Sequence, residues 1–420
     1  MGEISLNILI VNLLPTNEKQ QIINLIIEEY KSANKDSRIE VIDLSNKKIK
    51  DCIGCFGCWV KTPGVCVHKD DMVDFYKKYM SNDKAVFLFE TKAGFLSGHS
   101  KAFIDRLIPL YHPYIELYNG EMMHKYRYDK YPSLDFYYEA SELTYEENTV
   151  LEDYCYRTAY HFRVDARRVD ISGNAVNIKP MEHREPKAEL FSKESIRENR
   201  GKIILYNGSP RGLKGNSLII INEIIKGLKA EGKSDNDIEI RNLVDQKSHK
   251  IWVEDFKNHS KHFFVLPLYV HGMPSIVMKF FEMLPTVEKD SVQMTFLVQS
   301  GFIESYQSHY LRSYLSLLPK RLGAVYNGTI IKAGVEGSRG RSEKANEKLY
   351  NDFKEIGREF AASDIISEGL IEKLAAPVRL NKPIIVIFNV LAFFRITNSL
   401  WNKPLKENKA FEMRNNKPYA

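Results

Sequence analysis

Residues 203–217 read IILYNGSPRGLKGNS. The opening IILYN is apolar and β-favouring, as a buried strand requires. The chain then turns through Asn207, Gly208, Ser209, Pro210 and Arg211 and reaches Gly215, Asn216 and Ser217 at the head of an amphipathic helical stretch. Glycines let successive backbone N–H groups curl toward one anion, and the helix N-terminus adds unsatisfied donors and a favourable dipole. Ser209, Asn216 and Ser217 can donate further hydrogen bonds, and Arg211 a charge-assisted one. No Lys-Ser/Thr follows the glycines and no G-x-G-x-x-G is present, so the loop belongs to neither of those nucleotide signatures. The stretch predicts a strand, a phosphate-gripping loop and a helix start.

Outward from this loop, apolar strands alternate with helical periodicity. IILYN precedes SLIIINEIIKGLKA, and DIEIRNL (237–243), HFFVLPLYV (262–270) and MKFFEML (278–284) follow. The first half repeats that order, with ILIVN (8–12), QQIINLIIEEYKS, RIEVIDL (38–44), AVFLFE (85–90) and KAFIDRLIPLY. Alternating strand and helix predicts an α/β fold, a doubly wound parallel sheet with helices on both faces. Gly94-x2-Ser97-x3-Lys101 in the first half corresponds to Gly272-x2-Ser275-x3-Lys279 in the second, each after an apolar strand. The halves therefore read as tandem copies: a domain at 1–165, a charged linker at 166–199, a second domain at 200–365, and a helical C-terminal tail at 366–420. The copies differ where chemistry would lie. The second has the glycine-rich loop and no cysteines; the first has a cysteine cluster, and its equivalent loop, VNLLPTNEKQ, has no glycine.

The bulk composition fits this picture. At 420 residues the length suggests two or three domains. With 44% hydrophobic and 27% charged residues the chain reads as an ordinary soluble globular protein. A net charge of +6 without a basic stripe gives no sign of nucleic-acid binding. The N-terminus, MGEISLNILIVNLL, lacks a basic start and cleavage site, which argues against a secretory signal. No stretch reaches the roughly 20 apolar residues of a membrane span. The longest candidate, PIIVIFNVLAFF at 383–394, reads as a buried helix or a docking segment rather than a membrane contact. The cytoplasm is the expected compartment.

DCIGCFGCWVKTPGVCVHKDDM places Cys52, Cys55, Cys58 and Cys66 at spacings of two, two and seven intervening residues. Such runs occur at iron–sulfur sites, whereas zinc sites usually pair two separated ligand pairs. Three readings stay open: a cluster, redox-active or vestigial thiols without iron, and zinc. Cys155 reads as a core thiol, His68 as solvent-facing, and Asp70 and Asp71 as an N-cap and first-turn charges for MVDFYKKYM. Trp59 reads as a core residue or a shield for the cluster.

NGSPRGLKGNS, with PLYVHGMPSIVMKFFE (267–282) and QSGFIE (299–304), resembles the NAD(P)H-dependent FMN reductase branch of the flavodoxin-like superfamily. The resemblance implies that Ser209, Arg211, Gly215, Asn216 and Ser217 hold the FMN phosphate. It implies that Pro267, Leu268, Tyr269, Val270 and Gly272 border the isoalloxazine ring, with Ser300 and Gly301 at its other edge. The cysteine spacing resembles the iron–sulfur flavoproteins of the same superfamily, where Cys52, Cys55, Cys58 and Cys66 would carry a [4Fe-4S] centre. It also resembles flavin reductases in which no cluster can be taken for granted. Family members act as dimers, so the resemblance implies an intrachain pseudo-dimer with FMN in the second copy and none in the first, with a higher oligomer open. The implied activity is electron transfer from NAD(P)H or a reduced carrier protein through FMN to an acceptor. Two other readings stay open: a non-catalytic FMN electron carrier or redox sensor, and a quinone- or nitro-type flavin reductase with structural cysteines.

Overall fold

The computed structural model describes residues 5–15, 17, 19–187, 196 and 198–420. These divide into two compact units, one of 1–184 with 383–420 and one of 185–382. In the first unit, strands β1 (Asn7–Asn12), β2 (Arg38–Asp43), β3 (Lys84–Phe89), β4 (Ser133–Tyr138), β5 (Ala166–Ser172) and β6 (Ala175–Pro180) form one sheet in the order β2-β1-β3-β4-β5-β6. The first five strands run parallel, and β6 turns back antiparallel at the edge. In the second unit, β7 (Ile203–Asn207), β8 (Ile238–Asn242), β9 (Lys261–Pro267), β10 (Gln293–Gln299) and β11 (Val325–Lys332) are all parallel, in the order β8-β7-β9-β10-β11. Both therefore follow the 2-1-3-4-5 order of the flavodoxin-like fold.

Helix α1 (Lys19–Ala33) lies on the first sheet through Ile23, Ile26 and Tyr30, which join Ile8, Ile10, Val86 and Leu88 in one core. Helices α2 (Gly57–Val60), α3 (Met72–Met80), α4 (Gly98–Asp105) and α5 (Tyr145–His161) complete this unit's main part. A hairpin of Tyr111–Tyr118 and Glu121–Tyr126 interrupts the stretch expected to be helical through residue 111, because Pro109 and Pro113 bracket it. In the second unit the longer helices are α6 (Asn216–Ala230), α7 (Ser275–Phe281), α8 (Tyr306–Leu322), α9 (Glu343–Ser363) and α10 (Glu368–Ala375), with a six-residue helix at His249–Glu254. Helices α6 and α9 cross with their backbones in contact: a Cβ on Gly227 would lie 2.0 Å from the Lys354 carbonyl oxygen, and one on Gly357 2.1 Å from that of Ile224. Around this crossing Ile220, Ile224, Phe353, Ile356 and Phe360 pack on Leu205, Phe263 and Val265 of the sheet.

Two sequence expectations change. The linker expected at 166–199 begins with β5 and β6, so sheet residues continue to 180; of the remainder, 188–195 and 197 lie outside the described residues. The tail expected at 366–420 is divided. Helix α10 packs in the second core through Leu370, Ile371 and Leu374, while 383–420 belongs to the first unit, with α11 (Lys382–Phe393) starting at the boundary and α12 (Ser399–Glu407) following. Helix α11 buries none of its residues, so of the two readings of 383–394 the buried helix is not met and the docking segment stays open.

Candidate functional site

In the second unit the loops after β7, β9, β10 and β11 share the carboxyl end of the sheet. There strand order reverses between β8 and β9 on either side of β7, which is where doubly wound sheets bind ligands. Asn207 ends β7 fully buried and organises the first loop. Its amide donates to the Gly212 carbonyl at 3.1 Å and to Asn242 Oδ1 at 2.9 Å, and its Oδ1 accepts from Ser209 N at 3.1 Å. Ser209 Oγ in turn accepts from Arg211 N at 3.3 Å. The chain passes through a short 3-10 turn, Gly212–Lys214, and enters α6 with Gly215 at the N-cap. Gly215 admits no side chain: a Cβ there would lie 2.1 Å from Ser209 Oγ. The glycine thus lets the serine side chain close against the start of the helix.

Ser209, Asn216 and Ser217 are buried at this helix start. The Ser217 hydroxyl has no hydrogen-bond partner among the described residues. An orphaned buried hydroxyl costs free energy unless something pairs with it. Arg211 reaches Glu336 of the loop after β11, with nitrogen–oxygen distances of 3.4 and 3.2 Å, and Asn216 Nδ2 donates to the same carboxylate at 3.1 Å. The Glu336 carboxylate is thus a stand-in anion on two of the donors expected for a phosphate. Arg339 closes the loop from the same side by donating to the carbonyls of Leu213 and Gly215 at 3.2 and 2.9 Å. Neither Glu336 nor Arg339 follows from the glycine loop itself; the signal that could have found them is the charged, glycine-punctuated GVEGSRGRS after the last apolar strand.

The expected ring-edge residues form the next two loops. Strand β9 ends at Pro267, earlier than the expected 270, because Tyr269 and Gly272 exchange N–H···O bonds of 2.7 and 2.9 Å across a tight turn. Val270 and His271 in that turn both take left-handed backbone, with φ of 40° and 60°. A β-branched residue there is strained, and such strain concentrates at binding loops. Leu268 N is fixed on the Gln299 carbonyl at 2.8 Å. After β10, Ser300 is buried, its backbone is held by Lys332 and Val335, and its hydroxyl has no partner among the described residues. A Cβ on Gly301 would lie 3.2 Å from Glu336 Cβ, so Glu336 lies between the phosphate loop and the Ser300–Gly301 edge. The repeat motif matches loosely: Ser97 caps α4 by accepting from Ser100 N, whereas Ser275 is the first residue of α7 and Pro274 holds the cap position.

The same end of the first unit carries acid. Asn12 pairs with Asp43 at 2.9 Å, at the register of Asn207 with Asn242. Partial burial would raise the Asp43 carboxyl, but hydrogen bonds from Lys19, Ser45 and Asn12 outweigh it and hold the group at about 2. Glu90, Glu139 and Glu142 line the adjacent cleft with Leu14 and Phe89. Of the equivalent loop, Thr16 and Glu18 lie outside the described residues.

All five cysteines are free thiols, with Cys58 and Cys155 buried and Cys55 exposed. Burial pushes the Cys52 thiol up to about 12 and that of Cys58 well above its usual range, and the neighbouring thiols add to both shifts. The segment turns tightly through left-handed Gly54 and Phe56, and Gly57 N donates to Cys55 Sγ at 3.3 Å. Among the described residues no three Cys, His, Asp or Glu side chains are gathered as a metal-binding group. The four thiols therefore influence one another's charge without standing as a closed ligand set. Trp59 is a core residue, donating from Nε1 to the carbonyls of Ile108 and Tyr111 at 3.2 and 3.0 Å and stacked on Phe56.

Two neighbours differ from expectation. His68 is half-buried and its Nε2 is enclosed, rather than facing solvent. Asp70 forms a buried bidentate pair with Arg106 at 2.7 and 2.9 Å and accepts from Lys50 N at 2.9 Å, while touching Met72 N at the head of α3 only at 3.4 Å. Asp71 holds the N-cap position without a side-chain cap bond. A buried guanidinium demands a carboxylate more strongly than a helix end does.

No family model matches the chain. It is 32% identical over 79 residues to an iron–sulfur flavoprotein of Archaeoglobus fulgidus, covering 19% of this chain and 35% of the relative. It is 32% identical over 72 residues to an iron–sulfur flavoprotein of Methanocaldococcus jannaschii, covering 17% and 36%. The chain thus spans about a third of the length of the curated relatives it matches. Among solved structures, an FMN-dependent NADH-azoreductase of Bacillus anthracis bound to FMN aligns at 15% identity and a TM-score of 0.31, covering 38% of this chain and 99% of that one. An NAD(P)H:quinone oxidoreductase of Methanothermobacter marburgensis aligns at 14% identity and 0.32, covering 39% and 96%. Sequence similarity relates part of this chain to the iron–sulfur flavoproteins, and strand order gives both of its units the flavodoxin-like fold.

Proposed function

We propose that the chain is an FMN-dependent oxidoreductase that passes electrons from NAD(P)H or a reduced carrier to an acceptor. The observation that carries this reading is the loop 208–217, where Ser217 leaves a buried hydroxyl unpaired and Arg211 and Asn216 already hold an anionic carboxylate. Those groups fit a phosphate monoester. Ser209, Arg211, Asn216, Ser217 and the N-terminus of α6 would hold it, with the helix dipole adding to the attraction. The turn 268–272 and Ser300–Gly301 would border the ring, the Ser300 hydroxyl being a second unpaired group available to a heteroaromatic edge. Bound FMN would supply the hydride and electron chemistry, which belongs to the cofactor. The protein's part is to fix the ring, shield it with β9 and β10, and balance the phosphate charge.

In the first unit the cleft at the corresponding place is lined by Glu90, Glu139 and Glu142, carboxylates that oppose a phosphate even with Lys19 on Asp43 and Lys92 on Glu90, which supports one FMN per chain. Cys52, Cys55, Cys58 and Cys66 are the proposed iron–sulfur ligands, a reading supported by their spacing and by the relatives' description. Closing around iron would displace the protons that burial keeps on Cys52 and Cys58. Anaerobic purification followed by flavin, iron and acid-labile sulfide assays tests the reading, together with steady-state NAD(P)H oxidation. Bound flavin without NAD(P)H turnover would leave an electron carrier, and flavin without iron and sulfide would leave structural thiols.

A further inference from the structure

Helix α11 is apolar from Pro383 to Phe394 except for Asn389, and none of its residues is buried. Val386, Ile387, Val390, Phe393, Phe394 and Leu400 are all exposed, Phe393 by 81% and Phe394 by 66%. So much contiguous apolar surface marks an interaction site. Charge identifies the partner. Between Lys373 and Lys406 the chain has no acidic residue, while Lys382, Arg395 and Lys403 are cationic; Arg379 is paired with Glu185 at 2.8 Å. Lys382 and Arg395 are exposed at the two ends of the apolar run.

At about 1.5 Å per residue the run is about 18 Å long, short of the roughly 30 Å hydrocarbon core. Among the described residues no single helix is long and apolar enough to cross a membrane, and the chain bends by 79° between α11 and the helical stretch that follows. Beyond the bend, 399–420 is fixed to the first unit. Leu405 and Ala410 are fully buried, Trp401 meets the Trp59 ring edge-on at 5.2 Å, and Arg127 donates to the carbonyls of Arg414 and Asn416 at 3.2 and 3.0 Å.

We propose that α11 docks on an anionic lipid surface, lying in the plane of one leaflet with Lys382 and Arg395 at headgroup level. Its interior peptide groups bond within the helix, so burial in lipid exposes none of them. The apolar side chains leave water while the flanking cations stay with the phosphates, and apolar burial and charge attraction act together. A second copy of the chain would satisfy the apolar surface but would bring the same cations face to face.

The test is co-sedimentation of the full chain with vesicles of mixed phosphatidylcholine and phosphatidylglycerol, and with phosphatidylcholine alone. The bound fraction should favour the mixed vesicles about tenfold or more and should fall as salt screens the charges. F393D/F394D should abolish binding, and K382Q/R395Q/K403Q should remove the preference for anionic lipid. All five positions are exposed, so circular dichroism should show both variants folded. Wild-type protein remaining in the supernatant, or F393D/F394D binding as well as wild type, would overturn the proposal. So would a dimer in sedimentation velocity that F393D/F394D dissolves without any vesicle binding, which would assign the surface to a second copy.

Discussion

Replacing Glu336 by glutamine should tighten FMN binding. The Glu336 carboxylate takes hydrogen bonds from Arg211 and Asn216 at 3.2 and 3.1 Å, two donors that a phosphate needs. A phosphate sharing those donors would lie on the order of 5 Å from the carboxylate, where two unit charges repel by about 1 kcal/mol in water and about 3 kcal/mol at an effective dielectric of 20. The Glu336 side chain is 34% exposed, so solvent screening favours the lower part of that range. A net gain of about 1.5 kcal/mol corresponds to roughly tenfold in Kd. Glutamine keeps the size of the side chain and an oxygen to accept from Arg211, so the loop should keep its shape. The assay is quenching of flavin fluorescence on titration with apoprotein, run in parallel with FMN and with riboflavin, which lacks the phosphate. The gain should appear for FMN and not for riboflavin. An unchanged or weakened FMN affinity, or an equal gain for riboflavin, would refute the electrostatic argument.

Three further outcomes follow from the packing and the thiols. Gly227→Ala should destabilise the second unit by about 1–3 kcal/mol or more, because the added methyl would meet the Lys354 carbonyl of α9, and urea unfolding would measure the loss. Asp70→Asn should cost about 3–5 kcal/mol near neutral pH by leaving Arg106 buried without its carboxylate, read as a lower urea midpoint. Burial would raise Asp70, but Arg106 and backbone N–H donors hold it below the ordinary carboxylate range. Its contribution is therefore complete above the unfolded pKa and is lost as pH falls through the lowered folded value, so the gap between wild type and variant should narrow in acid. In metal-free protein, iodoacetamide at neutral pH should label exposed Cys55 well before Cys52 and Cys58, whose rates should rise about tenfold per pH unit toward alkaline pH. Equal labelling of the three thiols at neutral pH, read by peptide mass spectrometry, would contradict that order.

The strands easiest to read from sequence are those buried on both faces. IILYN is wholly buried as β7, and ILIVN and AVFLFE fall within β1 and β3 nearly residue for residue, because parallel strands sandwiched by helices are continuous apolar runs. Strands β5 and β6 escaped because ARRVDIS and AVNIKP lie at a sheet edge, with polar and charged residues on one side and much of the pair exposed. The Gly173-Asn174 turn between them was the available signal. At the site, the glycine loop announced itself because Gly215 and Ser209 must interlock locally. Glu336 lies about 120 residues downstream of Asn216, a contact made by the sheet's closure rather than by any motif. The apolar run at 383–394 was legible as hydrophobic but not as exposed, since composition alone cannot distinguish a core helix from one awaiting a partner.

The loop 208–217 is proposed to hold one flavin phosphate, and the first unit none. Titrating the apoprotein with FMN under tight-binding conditions measures this directly, with Arg211→Ala alongside. One FMN per 420-residue chain, with affinity lost in the variant for FMN but kept for riboflavin, is the expected result. Two FMN per chain, or none, would contradict the account, as would a single site indifferent to Arg211.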